Sequence, residues 1–158
     1  MVLKIKWKKL LICLAVPLLV GGLSALISGG GMDAFERMNQ PPLSPPGWLF
    51  PVVWTILYLL MGYAWYRVSE SGAPRDQISR ARSAYTIQLV LNFFWSIWFF
   101  NLKLYLFSFV WLVALWAAIL VTLIRFWRID KVAGYLLIPY LAWVTFAGYL
   151  NLGIAILN

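Results

Sequence analysis

Five long runs of apolar residues dominate the chain, and each is close to the ~20 residues that a helix needs to cross a bilayer. The runs lie at about residues 10–27, 47–66, 83–101, 104–126 and 132–156. Hydrophobic residues make up 63 % of the sequence and charged residues 11 %, whereas a soluble domain is about half apolar and about a quarter charged. The sequence therefore predicts an all-α membrane protein. Residues 1–158 are expected to form one five-transmembrane-helix bundle, with a lid loop at about residues 29–46.

The basic residues indicate how this bundle lies in the membrane. Four lysines precede the first run, four arginines separate the second run from the third, and three basic residues separate the fourth from the fifth. Only Arg37 and Lys103 fall on the opposite side. The positive-inside rule then predicts a multi-pass protein of the cell membrane with a cytoplasmic N-terminus and an outside C-terminus. The first run is longer than the apolar part of a signal peptide, so we expect it to remain as a helix.

Several function classes are disfavoured by the composition. The net charge of +8 is explained by topology and by contact with anionic lipid headgroups, so no nucleic-acid partner is expected. The chain has no histidine and one cysteine, Cys13. It therefore cannot form an intrachain disulfide and lacks the usual ligand of haem iron and of other metals. We predict no metal site, no cofactor and no acid–base catalytic centre.

Ten tryptophans are present, and most lie inside the apolar runs rather than at their ends. Helical spacing places aromatic and amide side chains on one face of three predicted helices. These faces carry Trp54, Tyr58, Met61 and Trp65 on the second helix, Gln88, Asn92, Trp95 or Ser96, and Phe99 on the third, and Pro139, Trp143, Ala147, and Leu150 or Asn151 on the fifth. Because a buried indole N–H needs a partner, we favour an aromatic lining for a flat apolar ligand over plain core packing at Trp54 and Trp143.

Two alternatives stay open at this point. Asn92 and Asn151 can contact a ligand, or they can simply form hydrogen bonds between helices, which is common in membrane bundles. The proline-rich segment 40–47 is either an ordered lid over the outer mouth of the bundle or a stiff connector. Within it, Ser44 and Pro45 have the residue types of an N-cap and first helical position, and are expected to start the second helix.

Three motifs in the chain resemble one known family. The stretch from Ser44-Pro45-Pro46-Gly47-Trp48 through Trp54-Thr55 to Met61-Gly62 is similar to the second helix of the tryptophan-rich sensory protein family, also called the translocator protein or peripheral benzodiazepine receptor family. Leu91-Asn92-x-x-Trp95-x-x-x-Phe99-Phe100 resembles its third helix, and Pro139-Tyr140-x-x-Trp143-x-x-Phe146-Ala147-x-x-Leu150-Asn151 resembles its fifth. Order and spacing agree over almost the whole chain.

The resemblance implies a five-helix bundle, often a homodimer, with a pocket under the first loop that binds porphyrins such as protoporphyrin IX, sterols or other lipophiles. The implied ligand-binding residues are Phe35, Trp54, Tyr58, Asn92, Trp95, Trp143, Ala147 and Asn151. We expect a receptor or sensor whose partners are a porphyrin and membrane lipids. The alternatives are light- and oxygen-dependent porphyrin breakdown by Trp54 and Trp143, and passive transport. The lid departs from the family pattern at Phe35, where tyrosine is common, and at Leu43, where tryptophan is common.

Overall fold

A computed structural model describes residues 4–29 and 35–158; part of the predicted lid loop, residues 30–34, lies outside the described residues. Five α-helices account for most of this structure, which contains no β-strand in its described parts. They are α1 (Trp7–Ser28), α2 (Leu49–Ser69), α3 (Arg75–Ser96), α4 (Tyr105–Ile129) and α5 (Lys131–Leu157). A π-helical turn, Ile97–Asn101, continues α3 at its C-terminal end.

The helices pack side by side in a closed order that differs from their order in the chain. α1 packs on α2, α2 on α5, α5 on α4, α4 on α3, and α3 on α1. Met61, Ile119, Leu137 and Val144 are among the fully buried side chains where these faces meet. Outward positions such as Leu19, Leu26 and Val110 are exposed and apolar, which is the distribution expected for a surface that faces lipid.

Four helices, α1, α2, α4 and α5, are long and apolar enough to cross a membrane. α3 starts at Arg75, well before the predicted start at Ser83. The difference arises because the first turns of α3 carry Arg75, Asp76, Arg80 and Arg82, and a search for apolar runs detects only the part of a helix that follows such charges.

The start of α2 also differs from the expectation at Ser44 and Pro45. α2 begins at Leu49 with Trp48 at the N-cap position and no side-chain cap. The Ser44 hydroxyl instead donates a hydrogen bond to the carbonyl oxygen of Pro41 at 2.7 Å. Ser44 therefore closes a turn within the proline-rich segment, because its hydroxyl meets a nearby carbonyl rather than the amides of α2.

Ion pairs join the helix ends on the side of the basic connections. The Asp130 carboxylate caps α5 by accepting from the backbone N–H of Val132 at 2.9 Å, and it pairs with Arg67 of α2 at 3.0 Å. Glu70, just after α2, pairs with Lys9 and with Lys6 at 3.0 Å. Hydrogen bonds from Lys9 and Lys6 hold the pKa of the Glu70 carboxyl below its ordinary value.

We predict that the Glu70 contacts give the bundle a pH-dependent component of stability. Because the folded-state pKa of Glu70 is lowered, this component is present above the ordinary carboxyl pKa and is lost as the pH falls through the folded value. Glu70→Gln should lower the free energy of unfolding at neutral pH by about 0.5 kcal/mol, as for other partly exposed ion pairs. The melting temperature in detergent should fall accordingly. The difference from wild type should shrink as the pH falls below the ordinary carboxyl pKa.

Lys8→Gln is the matched control, since it replaces a lysine that lies between Lys6 and Lys9 in the sequence and leaves both of their ion pairs with Glu70 in place. Its melting curve should keep the pH dependence of wild type. A Glu70→Gln difference that persists unchanged in acid would contradict the assignment.

Candidate functional site: an aromatic cavity between α1, α2, α3 and α5

A cavity of about 180 Å³ lies at the end of the bundle where α1 ends and α2 begins. Four helices and the described part of the first loop form its walls, and most of the lining is apolar. The lining consists of small residues from α1, aromatic residues from α2 and α3, and a mixed face of α5. In chain order it comprises Gly21, Ser24, Ala25, Ser28, Gly29, Phe35, Phe50, Pro51, Trp54, Tyr58, Asn92, Trp95, Ser96, Phe99, Phe100, Ala147, Leu150, Asn151 and Ile154.

Seven of the eight predicted ligand-binding residues meet at this cavity. They are Phe35, Trp54, Tyr58, Asn92, Trp95, Ala147 and Asn151. Phe35 is 4 % exposed and packs edge-on against Phe50, with ring centroids 5.1 Å apart. The described part of the first loop therefore inserts an aromatic side chain into the cavity wall.

A chain of buried hydrogen bonds forms the polar floor of the cavity. The Tyr58 hydroxyl donates to Asn92 Oδ1 at 3.0 Å, and Asn92 Nδ2 donates to the Tyr140 hydroxyl at 2.7 Å. Tyr140 in turn donates to Gln88 Oε1 at 2.7 Å. The chain connects α2, α3 and α5, so Asn92 both joins the helices and lines the cavity. The two interpretations of Asn92 that the sequence leaves open are therefore compatible.

A second hydrogen-bonded pair fixes the orientation of Trp95. Its indole N–H donates to Asn151 Oδ1 at 3.0 Å, and Asn151 Nδ2 donates to the backbone carbonyl of Tyr105 at 2.8 Å. The Trp95 ring also stacks on Phe99 with centroids 5.3 Å apart. Asn151 thus satisfies the polar edge of the indole and holds the ring in the wall.

Trp54 packs on the aromatic members of the polar floor. Its ring stacks on Tyr58 at 5.6 Å and meets the edge of Tyr140 at 6.1 Å. The ring is only partly buried and lines the cavity. It therefore offers an aromatic surface next to the Tyr58 hydroxyl.

Trp143 does not line this cavity, although the family resemblance implies that it binds ligand together with Trp54. Trp143 lines a separate groove between α2 and α5 together with Val53, Leu57 and Pro139. The physical reason is Phe50, whose ring lies against Trp143 with centroids 5.8 Å apart and itself lines the cavity. Phe50 thus contacts Trp143 on one side and lines the cavity on the other.

Three functional positions have little or no sequence signal. Tyr140 is the centre of the polar floor; the fifth-helix motif includes it, and its spacing of seven residues from Ala147 places it on the inward face of α5, but neither indicates its hydrogen bonds. Phe50 becomes important through the packing of α2 on α5. Gly21 is required because a Cβ there would overlap the Tyr58 ring, a close approach that sequence alone does not reveal.

We predict that Gly21→Ala disrupts the cavity and that its neighbour Gly22→Ala does not. The added methyl at position 21 displaces Tyr58 and breaks its bond to Asn92, which should cost about 1–3 kcal/mol of stability, as overpacking does elsewhere. A Cβ at position 22 meets nothing within 4 Å, so that variant should be as stable as wild type or more stable. Melting temperatures in detergent measure both. Equal values for the two variants would contradict the packing described here.

The helices and the cavity together define the class of this protein: an all-α, multi-pass membrane protein with an aromatic chamber between its helices. Comparison with known proteins narrows the class. Residues 13–157 match the TspO/MBR family. The chain is 42 % identical over 124 residues to the tryptophan-rich protein TspO of Chlorobaculum tepidum, with 78 % of each protein covered.

More distant relatives extend over a similar part of the chain. Protein CrtK of Rhodobacter capsulatus is 33 % identical over 138 residues, covering 87 % of this chain and 85 % of that protein. The human translocator protein is 33 % identical over 129 residues, covering 81 % and 76 %. The chain therefore belongs to the TspO/MBR family, and its resemblance to the tryptophan-rich sensory and translocator proteins is confirmed.

Proposed function

We propose that this protein is a membrane receptor or sensor that binds a porphyrin of the protoporphyrin IX class, or a similar flat lipophile, in the cavity between α1, α2, α3 and α5. The observation that carries the proposal is the meeting of Phe35, Trp54 and Trp95 around one apolar space with a polar floor. Aromatic rings bind flat π-systems by offset stacking or edge contacts. The Tyr58–Asn92 pair offers hydrogen-bonding groups beside those rings.

The proposal includes an arrangement in the membrane. All five helices span the bilayer, including α3 through its apolar part, and the chain forms a homodimer in contact with membrane lipids. The N-terminus is cytoplasmic and the C-terminus lies outside, because the basic connections concentrate at one end of the bundle. The cavity, at the opposite end, then opens toward the outer side.

The size of the cavity indicates that binding changes its walls. The cavity volume of about 180 Å³ is smaller than the ~300–1,000 Å³ typical of small-molecule sites. A porphyrin must therefore displace part of the lining. The Phe35 segment is the wall that can move without separating two membrane helices, and its displacement would place the ligand between Trp54, Trp95 and the first loop.

We predict that Trp54→Leu weakens protoporphyrin IX binding about ten-fold, because it removes an aromatic face and keeps an apolar side chain. A titration of the purified protein, followed by quenching of tryptophan fluorescence and by the porphyrin absorption band, measures the Kd. Trp143→Leu is the matched control, since Trp143 lies behind Phe50 and outside the cavity. It should bind as wild type does.

Two results would change the proposal. An unchanged Kd in Trp54→Leu would exclude this cavity as the porphyrin site. An equal loss of affinity in both variants would show that Phe50 moves aside and that Trp143 joins Trp54 at the ligand.

A further inference from the structure

A second concave surface lies between α1 and α3, in the half of the bundle next to the arginine-bearing start of α3. This groove has a volume of about 490 Å³ and a mostly apolar lining. Its α1 wall includes Ile12, Val16 and Val20, and its α3 wall includes Leu89, Val90 and Phe93. Ile12, Val16 and Val90 are each more than 40 % exposed, so the groove opens on the outer face of the bundle.

The two ends of the groove differ in what lies next to them. At one end the Ser24 hydroxyl donates to the backbone carbonyl of Phe93 at 2.9 Å and joins α1 to α3. At the other end the first turns of α1 are attached to α2 through Glu70, and Arg82 of α3 lines the groove. The groove therefore extends from the basic end of the bundle toward the Ser24–Phe93 contact.

Polarity changes in steps along the α3 wall. The Arg82 side chain is exposed at the rim, with its guanidinium 5.8 Å from the centre of the Trp65 ring. One turn deeper, Tyr85 lines the groove at 5 % exposure, and its buried hydroxyl has no hydrogen-bond partner among the described residues. The exposed Thr86 lies next to Tyr85 in this wall, and beyond it Leu89, Val90 and Phe93 are apolar. The order is thus a cation, two hydroxyl groups and then hydrocarbon.

We propose that the groove binds an anionic glycerophospholipid from the leaflet on the side of the basic connections. The phosphate pairs with Arg82, an ester oxygen accepts from the Tyr85 hydroxyl, and one acyl chain lies between α1 and α3 as far as Phe93. This order of groups in the lipid matches the order of groups in the wall. An acceptor for Tyr85 also removes the cost of a buried hydroxyl without a partner.

The length of the groove fits one leaflet. The α3 residues from Arg82 to Phe94 extend over about 18 Å at the rise of an α-helix. Half of a hydrocarbon core is about 15 Å thick. A lipid whose phosphate lies at Arg82 therefore has its acyl chain within the leaflet it comes from, and the Ser24–Phe93 contact lies near the bilayer centre.

Native mass spectrometry of the full chain in mild detergent tests the proposal, with phosphatidylglycerol and phosphatidylcholine of the same acyl chains as probes. Wild type should retain phosphatidylglycerol in preference. Arg82→Gln should weaken phosphatidylglycerol binding about five-fold, as the loss of one cation near an anionic lipid does, and Tyr85→Phe should weaken both lipids about three-fold. Arg80→Gln is the matched control, because Arg80 is exposed on the same helix and does not line the groove.

Val90→Trp tests the acyl-chain position separately, since it fills the groove from its exposed wall. It should abolish retention of both lipids and leave protoporphyrin binding unchanged.

Equal phosphatidylglycerol affinity in Arg82→Gln and Arg80→Gln would overturn the proposal, because it would mean diffuse attraction by all the arginines. Weaker protoporphyrin binding in Arg82→Gln with unchanged lipid binding would overturn it in favour of a porphyrin. Loss of self-association in Val90→Trp with lipid binding intact would overturn it in favour of a second copy of the chain.

Discussion

The cavity depends on one buried chain of hydrogen bonds, from Tyr58 through Asn92 and Tyr140 to Gln88. Hydrocarbon offers no water to a polar side chain, so each of these groups needs a partner inside the protein. The four residues satisfy one another across α2, α3 and α5, and thereby fix the distance between the helices that surround the cavity. Trp54 packs on two of these rings, so the aromatic surface that a ligand meets is positioned by the polar floor beneath it.

The sequence predicts much of this arrangement, for identifiable physical reasons. Apolar runs of bilayer length locate the helices, and helical spacing places Trp54 with Tyr58, Asn92 with Trp95, and Ala147 with Asn151 on inward faces. Asn92 and Asn151 are recognisable because amides are rare in membrane helices and face the interior.

The features that the sequence does not predict depend on contacts between helices. Trp143 has the same spacing on α5 as Ala147, yet Phe50 of α2 separates it from the cavity, and only the packing of α2 on α5 determines that outcome. The start of α3 at Arg75 is missed for a different reason, because the first turns of α3 are charged.

α1 presents different residues to two spaces. Its small residues Gly21, Ser24 and Ala25 face the cavity, and its larger Ile12 and Val16 face the groove toward α3.

A structure of the protein with protoporphyrin IX bound tests the central claim most directly. We expect the porphyrin ring to contact Trp54 and Trp95 below a displaced Phe35, with the Tyr58–Asn92–Tyr140 hydrogen bonds intact and Trp143 still behind Phe50. A ring bound between α1 and α3, or bound against Trp143 with the cavity unchanged, would contradict the account.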